Sequence, residues 1–149
     1  NASRKTARPF AIIASRYNER YVNAMLRAAQ TVLRRAGARV QVVRVPGAYE
    51  IPVVAARLAR SASPPRAGLI CLGVILRGQT VHAAHIGEAV STALMQLQLR
   101  YEIPVIHEVL LLENEEQARV RCLGQKHNRG AEAAQTALAM AEVMAKLEN

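Results

Sequence analysis

The chain is predicted to fold as a three-layer αβα sandwich, a parallel sheet of four main strands with helices on both faces. Three observations lead there. Short, almost continuously apolar runs recur, as in Phe10–Ala14, Leu69–Leu76 and Ile103–Leu112; strands buried on both faces have this composition. The stretches between them carry apolar residues at helical spacing. The order β-α-β-α-β-α-β-α-α has no internal repeat, and such alternation builds a parallel sheet.

Each element has its own signal. Phe10-Ala11-Ile12-Ile13-Ala14 is the first strand, and Ser15-Arg16-Tyr17-Asn18 the loop after it. Val22, Leu26, Ala29 and Leu33 mark a helix that Gly37 stops. Arg39 to Val45 alternates as a second strand and ends at Pro46-Gly47. A helix from about Ile51 to Ala62 accepts Pro52 in its first turn. Ser61-Ala62-Ser63-Pro64-Pro65 is a loop and not a linker, because apolar strands continue beyond it. Leu69 to Leu76 is the third strand. Gly78 introduces a long helix, about Thr80 to Leu99. Ile103 to Leu112 is the last strand, with Pro104 near its start. Asn114 caps a short helix through about Leu123. Residues 124–130 are a break, and Ala131 to Leu147 is the final helix. Residues 1–8 are polar and basic and are expected to be mobile.

Bulk properties narrow the function. A length of 149 residues fits one domain, 1–149, with a substantial core. The net charge is +9, and seventeen of the twenty cations are Arg, which suits a polyanion or a phosphorylated small molecule. The cations are scattered, without a basic block or interleaved aromatics, which argues against a dedicated nucleic-acid surface. All eleven acids are Glu, so aspartyl nucleophiles, aspartate metal loops and Ser-His-Asp triads are excluded. Cys71 and Cys122 lack metal or redox spacing, and Cys71 lies in an apolar run as a buried free thiol. No signal peptide, transmembrane run or lipidation motif is visible, so a cytoplasmic protein is expected.

In such sheets ligands collect beyond the carboxyl ends of the strands. The loops expected there are 15–18, 46–50, 77–82 and 107–114. In Arg77-Gly78-Gln79-Thr80-Val81-His82 a glycine leaves a strand just before a helix. Free N–H groups at a helix start attract an anion, Thr80 adds a hydroxyl, and His82 is an imidazole able to take a proton near neutral pH. A cap with a surface histidine explains the same residues. The spacing is not that of a P-loop. His82 and His85 share a helix face, but no further ligands stand at a recognisable metal spacing. In Val45-Pro46-Gly47-Ala48-Tyr49-Glu50-Ile51-Pro52 the glycine lets backbone face a ligand, and Glu50 can accept from hydroxyl groups. A plain strand-to-helix turn is the alternative. Tyr17 can stack on a planar ring. Arg121, Lys126 and Arg129 are either phosphate clamps or solvated cations.

Taken together these motifs resemble the lumazine synthase family, in order from about Phe10 to Leu147. Ser15-Arg16-Tyr17-Asn18-Glu19 is similar to its Arg-Phe-Asn loop. Val45 to Pro52 matches its Val-Pro-Gly-Ala/Ser-aromatic-Glu-Ile-Pro motif. Leu72 to His82 matches Gly-x-x-Ile/Leu-Arg-Gly-x-Thr-x-His, and Glu113 to Ala118 with Arg121 matches the stretch around its phosphate-binding arginine. Asn128-Arg129-Gly130 resembles Asn-Lys-Gly.

The resemblance implies a flavodoxin-like fold. It also implies condensation of 5-amino-6-ribitylaminouracil with 3,4-dihydroxy-2-butanone 4-phosphate to 6,7-dimethyl-8-ribityllumazine, with no metal and no cofactor. It assigns His82 to proton transfer. Tyr17, Asn18, Gly47, Ala48, Tyr49, Glu50 and His107 would bind the pyrimidine and its ribityl chain. Gln79, Thr80 and a neighbouring subunit's Arg121 would bind phosphate, with Arg129 and Lys126 as accessories. Departures from the family pattern are Tyr17 for Phe, Ala83-Ala84-His85 for aromatic-acid-aromatic, His107-Glu108 at the pocket wall, and Arg129 for Lys. The family forms pentamers, and some members form sixty-subunit icosahedral shells. The uninterrupted 125–130 segment resembles the shell-forming type, and riboflavin synthase is a further expected partner, with neither nucleic acid nor membrane. Two readings compete: a non-catalytic flavin- or lumazine-binding or shell-forming member of the same fold, and a basic nucleic-acid module resting on net charge alone.

Overall fold

The computed structural model of the chain describes residues 7–60 and 65–148. Four strands, β1 (Phe10–Ser15), β2 (Val40–Val45), β3 (Gly68–Leu76) and β4 (Val105–Leu112), form one parallel sheet in the order β2-β1-β3-β4. The intervening helices are α1 (Glu19–Arg35), α2 (Ile51–Arg60) and α3 (Ala83–Tyr101). After β4 come α4 (Glu115–Ala118), which runs on into a π turn at Arg119–Leu123, and α5 (Arg129–Leu147). This is the expected αβα sandwich.

Two cores lie on opposite faces of that sheet, and the strand sequences show why. In β1, Phe10, Ile12 and Ala14 pack with α1 and α5, while Ala11 and Ile13 pack with α2 and α3. Both faces are covered, so every β1 residue must be apolar or small. On α1, Tyr21, Val22, Met25, Leu26, Ala29 and Leu33 form the buried stripe, at the spacing of one helix face. α1 ends as its glycine predicts. Gly37 has φ 74, and Gly37 N and Ala38 N donate back to Arg34 O and Leu33 O at 2.9 and 3.0 Å.

Small residues let α5 lie directly on α1. A Cβ built on Gly130 would collide with the Met25 backbone. Gly130→Ala is therefore expected to destabilise the fold by about 3 kcal/mol, the upper range of overpacking, because backbone must move. A thermal melt that matched the parent protein would contradict this packing.

Several boundaries differ from expectation, for physical reasons. α3 begins at Ala83, three residues later than predicted: residues 77–79 close a 3-10 turn and Thr80 is extended. The Thr80 hydroxyl takes the His82 N–H at 3.1 Å, a local bond that competes with helix propagation. β4 begins at Val105 and not Ile103. Pro104 contributes only its carbonyl, to Leu69 N at 2.9 Å, as proline must. α5 starts at Arg129, where Asn128 caps it: Oδ1 accepts from Gly130 N and Ala131 N at 2.8 and 3.2 Å. The expected mobility of residues 1–8 falls mainly outside the described residues. Ala7 and Arg8 are held, since Arg39 donates to Ala7 O at 2.6 Å and Arg8 pairs with Glu148 at 2.8 Å. Of the loop at 61–65, only Pro65 is described.

Candidate active site

The chain runs outward from β1 to β2, then crosses back to β3. At that reversal the carboxyl ends of β1 and β3 diverge and leave a crevice. A cleft of about 270 Å³ opens there, lined by Tyr17, residues 47–50, residues 74–76, Gln79, Thr80 and Ile86. Three of the sequence-predicted groups line this crevice, Tyr17, residues 47–50 and Gln79 with Thr80, and they enter it differently.

Tyr17 is carried by an extension of the β1–β2 ladder. Arg16 N donates to Val45 O at 2.8 Å and Tyr17 N to Pro46 O at 3.0 Å. This holds the Tyr17 backbone against the second motif, with the residue 59% exposed at the edge of the cleft. Asn18 follows in the left-handed region, φ 59, and its amide donates to Val74 O at 2.7 Å. Asn18 thus pins the loop to the end of β3 through one of its two side-chain N–H groups.

Residues 48–50 form a single 3-10 turn that passes directly into α2. Gly47 is extended, φ −142 and ψ 178, so its value is space: a Cβ there would lie 3.1 Å from Glu50 Oε1. The half-buried Glu50 carboxylate and the backbone of 47–49 face the cleft together. Val74, Ile75 and Leu76 supply its apolar wall.

On the β3 side, Gln79 and Thr80 line the cleft ahead of α3 rather than within its first turn. His82 is the residue flanking the helix start, and its carbonyl accepts the first intrahelical bond, from Ile86 N at 3.0 Å. The N–H groups of Ala83, Ala84 and His85 precede that bond and have no intrahelical partner. His82 is exposed, with its ring centroid 6.4 Å from that of His85. Thr80 brings a hydroxyl and Gln79 an amide to this corner of the cleft, while His82 stands exposed beside it and is not among the lining residues. Among the described residues no three metal-ligating side chains converge.

Arg121 is not in this cleft. It lies in the π turn and, with Asn114, Glu116, Gln117 and Val120, lines a separate hollow of about 330 Å³. His107 is also apart: it sits exposed in mid-β4, its Nε2 2.7 Å from Ser91 Oγ of α3. Arg129 is engaged with Glu132 at 3.4 Å, and Lys126 is exposed in the 124–128 loop. The single chain therefore gathers the Tyr17, Gly47–Glu50 and Gln79–Thr80 groups and leaves Arg121, His107, Lys126 and Arg129 on other surfaces.

Some contributors carry weak sequence signals. Arg44 interrupts an apolar strand, and its guanidinium donates to Ala14 O and Ser15 O at 3.1 and 3.0 Å, fixing the β1 end that presents Tyr17. Burial lowers its pKa, as does the nearby Arg16 charge. Arg77 pairs with Glu113 at 2.9 Å, tying the 77–79 turn to the residue that follows β4. The two thiols are inert by burial, Cys71 pushed up to about 12 and Cys122 to about 11.

Glu108, beside His107 but on the opposite face of β4, has its pKa pushed up to about 6. Desolvation is the main cause, with Arg129 lowering it and Glu132 raising it. The folded pKa exceeds the unfolded one. The ionised group therefore costs stability, a cost absent below the unfolded pKa and complete once pH passes about 6. Glu108→Gln should stabilise the protein at pH 8 by about 1 kcal/mol after allowing for solvent screening, and have little effect at pH 4. Equal effects at both pH values would rule this out.

An open parallel α/β domain, with an exposed tyrosine, a half-buried carboxylate, an amide and a hydroxyl around the crevice at its strand-order reversal, defines a class: an α/β protein with a small-molecule cleft at that crevice. Comparison with known proteins narrows that class. Residues 8–145 match the family model for 6,7-dimethyl-8-ribityllumazine synthase. A protein of that name from Stenotrophomonas maltophilia (strain R551-3) is 40% identical over 141 residues, 93% of this chain and 90% of that one. Another from Xanthomonas euvesicatoria pv. vesicatoria (strain 85-10) is 38% identical over 144 residues, covering 95% and 92%. The chain belongs to the 6,7-dimethyl-8-ribityllumazine synthase family. Its four-stranded parallel sheet is the flavodoxin-like sandwich expected of that family.

Proposed function

We propose that this protein condenses 5-amino-6-ribitylaminouracil with 3,4-dihydroxy-2-butanone 4-phosphate, giving 6,7-dimethyl-8-ribityllumazine, phosphate and water, the penultimate step of riboflavin biosynthesis. One observation carries the reading. The ring-stacking, polyol-binding and anion-binding groups line one cleft in a chain of this family.

In this reading Tyr17 stacks on the pyrimidine, while Glu50 and the backbone of Gly47, Ala48 and Tyr49 hold the ribityl hydroxyls. Gln79 and Thr80 take the phosphate. The pyrimidine amine attacks the butanone carbonyl and forms an imine as water leaves. A proton is then removed and phosphate eliminated, and the ribityl-bearing nitrogen closes the ring with loss of water. His82 moves the protons. Holding two small molecules in reacting geometry supplies much of the rate, and no electron is transferred.

Arg121 completes the phosphate site from an adjoining subunit, and His107 reaches the pyrimidine wall in the same way. Arg129 and Lys126 add positive charge nearby. The separation of the Arg121 hollow from the cleft supports an oligomer, a pentamer in this reading, with a sixty-subunit icosahedral shell as its further assembly. A cytoplasmic location and a partnership with riboflavin synthase belong to the same reading. Among the described residues no helix is long and apolar enough to cross a membrane.

The test mixes purified protein with both substrates, without added metal. Lumazine absorbance should appear with equimolar phosphate. Tight binding of lumazine or flavin without turnover would instead favour a non-catalytic member.

A further inference from the structure

Arg121 stands on a segment that cannot hold its own shape. α4 has four residues, Glu115–Ala118, and passes straight into the π turn at Arg119–Leu123. A helix this short is unstable alone, and a π turn is rare and frequently marks a functional site. Its position must be fixed from outside. Ala118 and Cys122 are buried in the core that α1 helps to form. Apolar packing of this kind sets how closely the segment lies on α1, but it is non-directional.

Direction comes from hydrogen bonds. The Asn114 cap and the bond from Glu113 N to Gln117 lie within residues 113–117, and Asn128 ties down Cys122 O from the next loop. The Arg77–Glu113 pair is solvent-exposed on both sides and holds weakly. One bond reaches the segment from the helical layer: the Tyr21 hydroxyl donates to Glu115 Oε1 at 3.0 Å. Among the described residues no other α1 side chain bonds residues 114–123.

Tyr21 is a firm reference point. It is 3% exposed in the buried stripe of α1, so its ring cannot swing. Tyr21 N donates to Asn18 O at 3.1 Å, and the Asn18 amide is bonded to Val74 O of β3. These contacts run from the sheet to the segment that carries Arg121. Packing alone would be served by phenylalanine. The hydroxyl adds a directional, charge-assisted bond to a carboxylate. Glu115 is exposed, so water can replace that bond with little loss of stability.

We propose that Tyr21 is a positioning residue for Arg121: through Glu115 it fixes the α4–π segment, and with it the angle at which the guanidinium meets the phosphate of the neighbouring cleft. This role presupposes the shared site proposed above. A guanidinium fork recognises phosphate by direction as well as charge. A loosened segment therefore weakens the phosphate-bearing substrate and spares the one held by Tyr17 and Glu50 of the receiving chain.

The test is steady-state kinetics with both substrates on the full chain, for Tyr21→Phe, Glu115→Gln, Arg121→Ala and Tyr21→Phe combined with Arg121→Ala. Tyr21→Phe should raise the KM for 3,4-dihydroxy-2-butanone 4-phosphate by about five- to tenfold, as a small misplacement of a binding group does, with kcat and the other KM within about twofold. Glu115→Gln keeps an oxygen that accepts the phenol proton and should lose less than Tyr21→Phe. Added to Arg121→Ala, Tyr21→Phe should bring no further rise, because residues that act through one another are not additive. The proposal is overturned if Tyr21→Phe matches the parent while Arg121→Ala shows its own loss. It is overturned equally if both KM values rise together, or if Tyr21→Phe multiplies the Arg121→Ala defect by its full factor. An unchanged phosphate-substrate KM in Arg121→Ala would instead remove the shared site, and the role of Tyr21 with it.

Discussion

Arg121→Ala raises the KM for 3,4-dihydroxy-2-butanone 4-phosphate by about a hundredfold and leaves the KM for the ribitylaminouracil within a few-fold. A guanidinium on a phosphate dianion makes charge-assisted, two-pronged hydrogen bonds, and losing one costs about 2–3 kcal/mol. Alanine is sterically safe because Arg121 lines an open hollow. Arg121→Lys keeps the charge but not the fork and should recover only part of the loss. The comparison separates a phosphate contact from a structural one. A folding defect would change both substrates alike.

His82→Ala lowers kcat by about 10²-fold, within the usual range for general acid–base groups, with little change in either KM. Turnover persists because Gln79, Thr80, Glu50 and Tyr17 still hold the reactants together. The pH profile of kcat should lose an ionisation. The family's acidic residue after the histidine is Ala84 here, so no carboxylate on that turn orients the ring; the nearest aromatic partner is His85 at 6.4 Å. A wild-type pH profile in His82→Ala would assign the proton transfer elsewhere.

Much of this architecture was legible in the sequence because the signals were local. The β1 and β3 runs could only be strands with two covered faces, and Gly37 and Asn114 marked helix ends through their own conformational preferences. The start of α3 was misjudged because a glycine followed by threonine reads as a helix entry. The Thr80 hydroxyl instead ties up the His82 N–H and delays the first turn. The π turn at Arg119–Leu123 had no sequence signal at all.

For the site, Tyr17, residues 47–50, Gln79 and Thr80 were found because each follows a strand, whereas the apolar wall of Val74, Ile75, Leu76 and Ile86 was not, because in sequence those residues read only as core. Arg44 was missed because it belongs to a strand, and its role, gripping the Ala14 and Ser15 carbonyls, depends on a neighbour thirty residues away. Asn18 was assigned to substrate, and the structure adds a positioning bond that the sequence did not show, from its amide to Val74 O. Asn128 shows the converse. Its motif was read by likeness, and the structure supplies the cause: one side chain caps α5 through Oδ1 and ties down Cys122 O and Gly124 O through Nδ2 at 2.7 and 3.3 Å.

The central claim is that a working site needs the cleft of one chain and Arg121 of another. Co-assembling Arg121→Ala with His82→Ala chains tests it most directly. Each homogeneous variant carries its defect at every site. In a randomly mixed ring, about one interface in four pairs an intact cleft with an intact arginine, and activity should rise to about a quarter of the unsubstituted protein. If mixed assemblies, verified by mass, show no more activity than the average of the two variants, Arg121 acts within its own chain and the shared site is wrong.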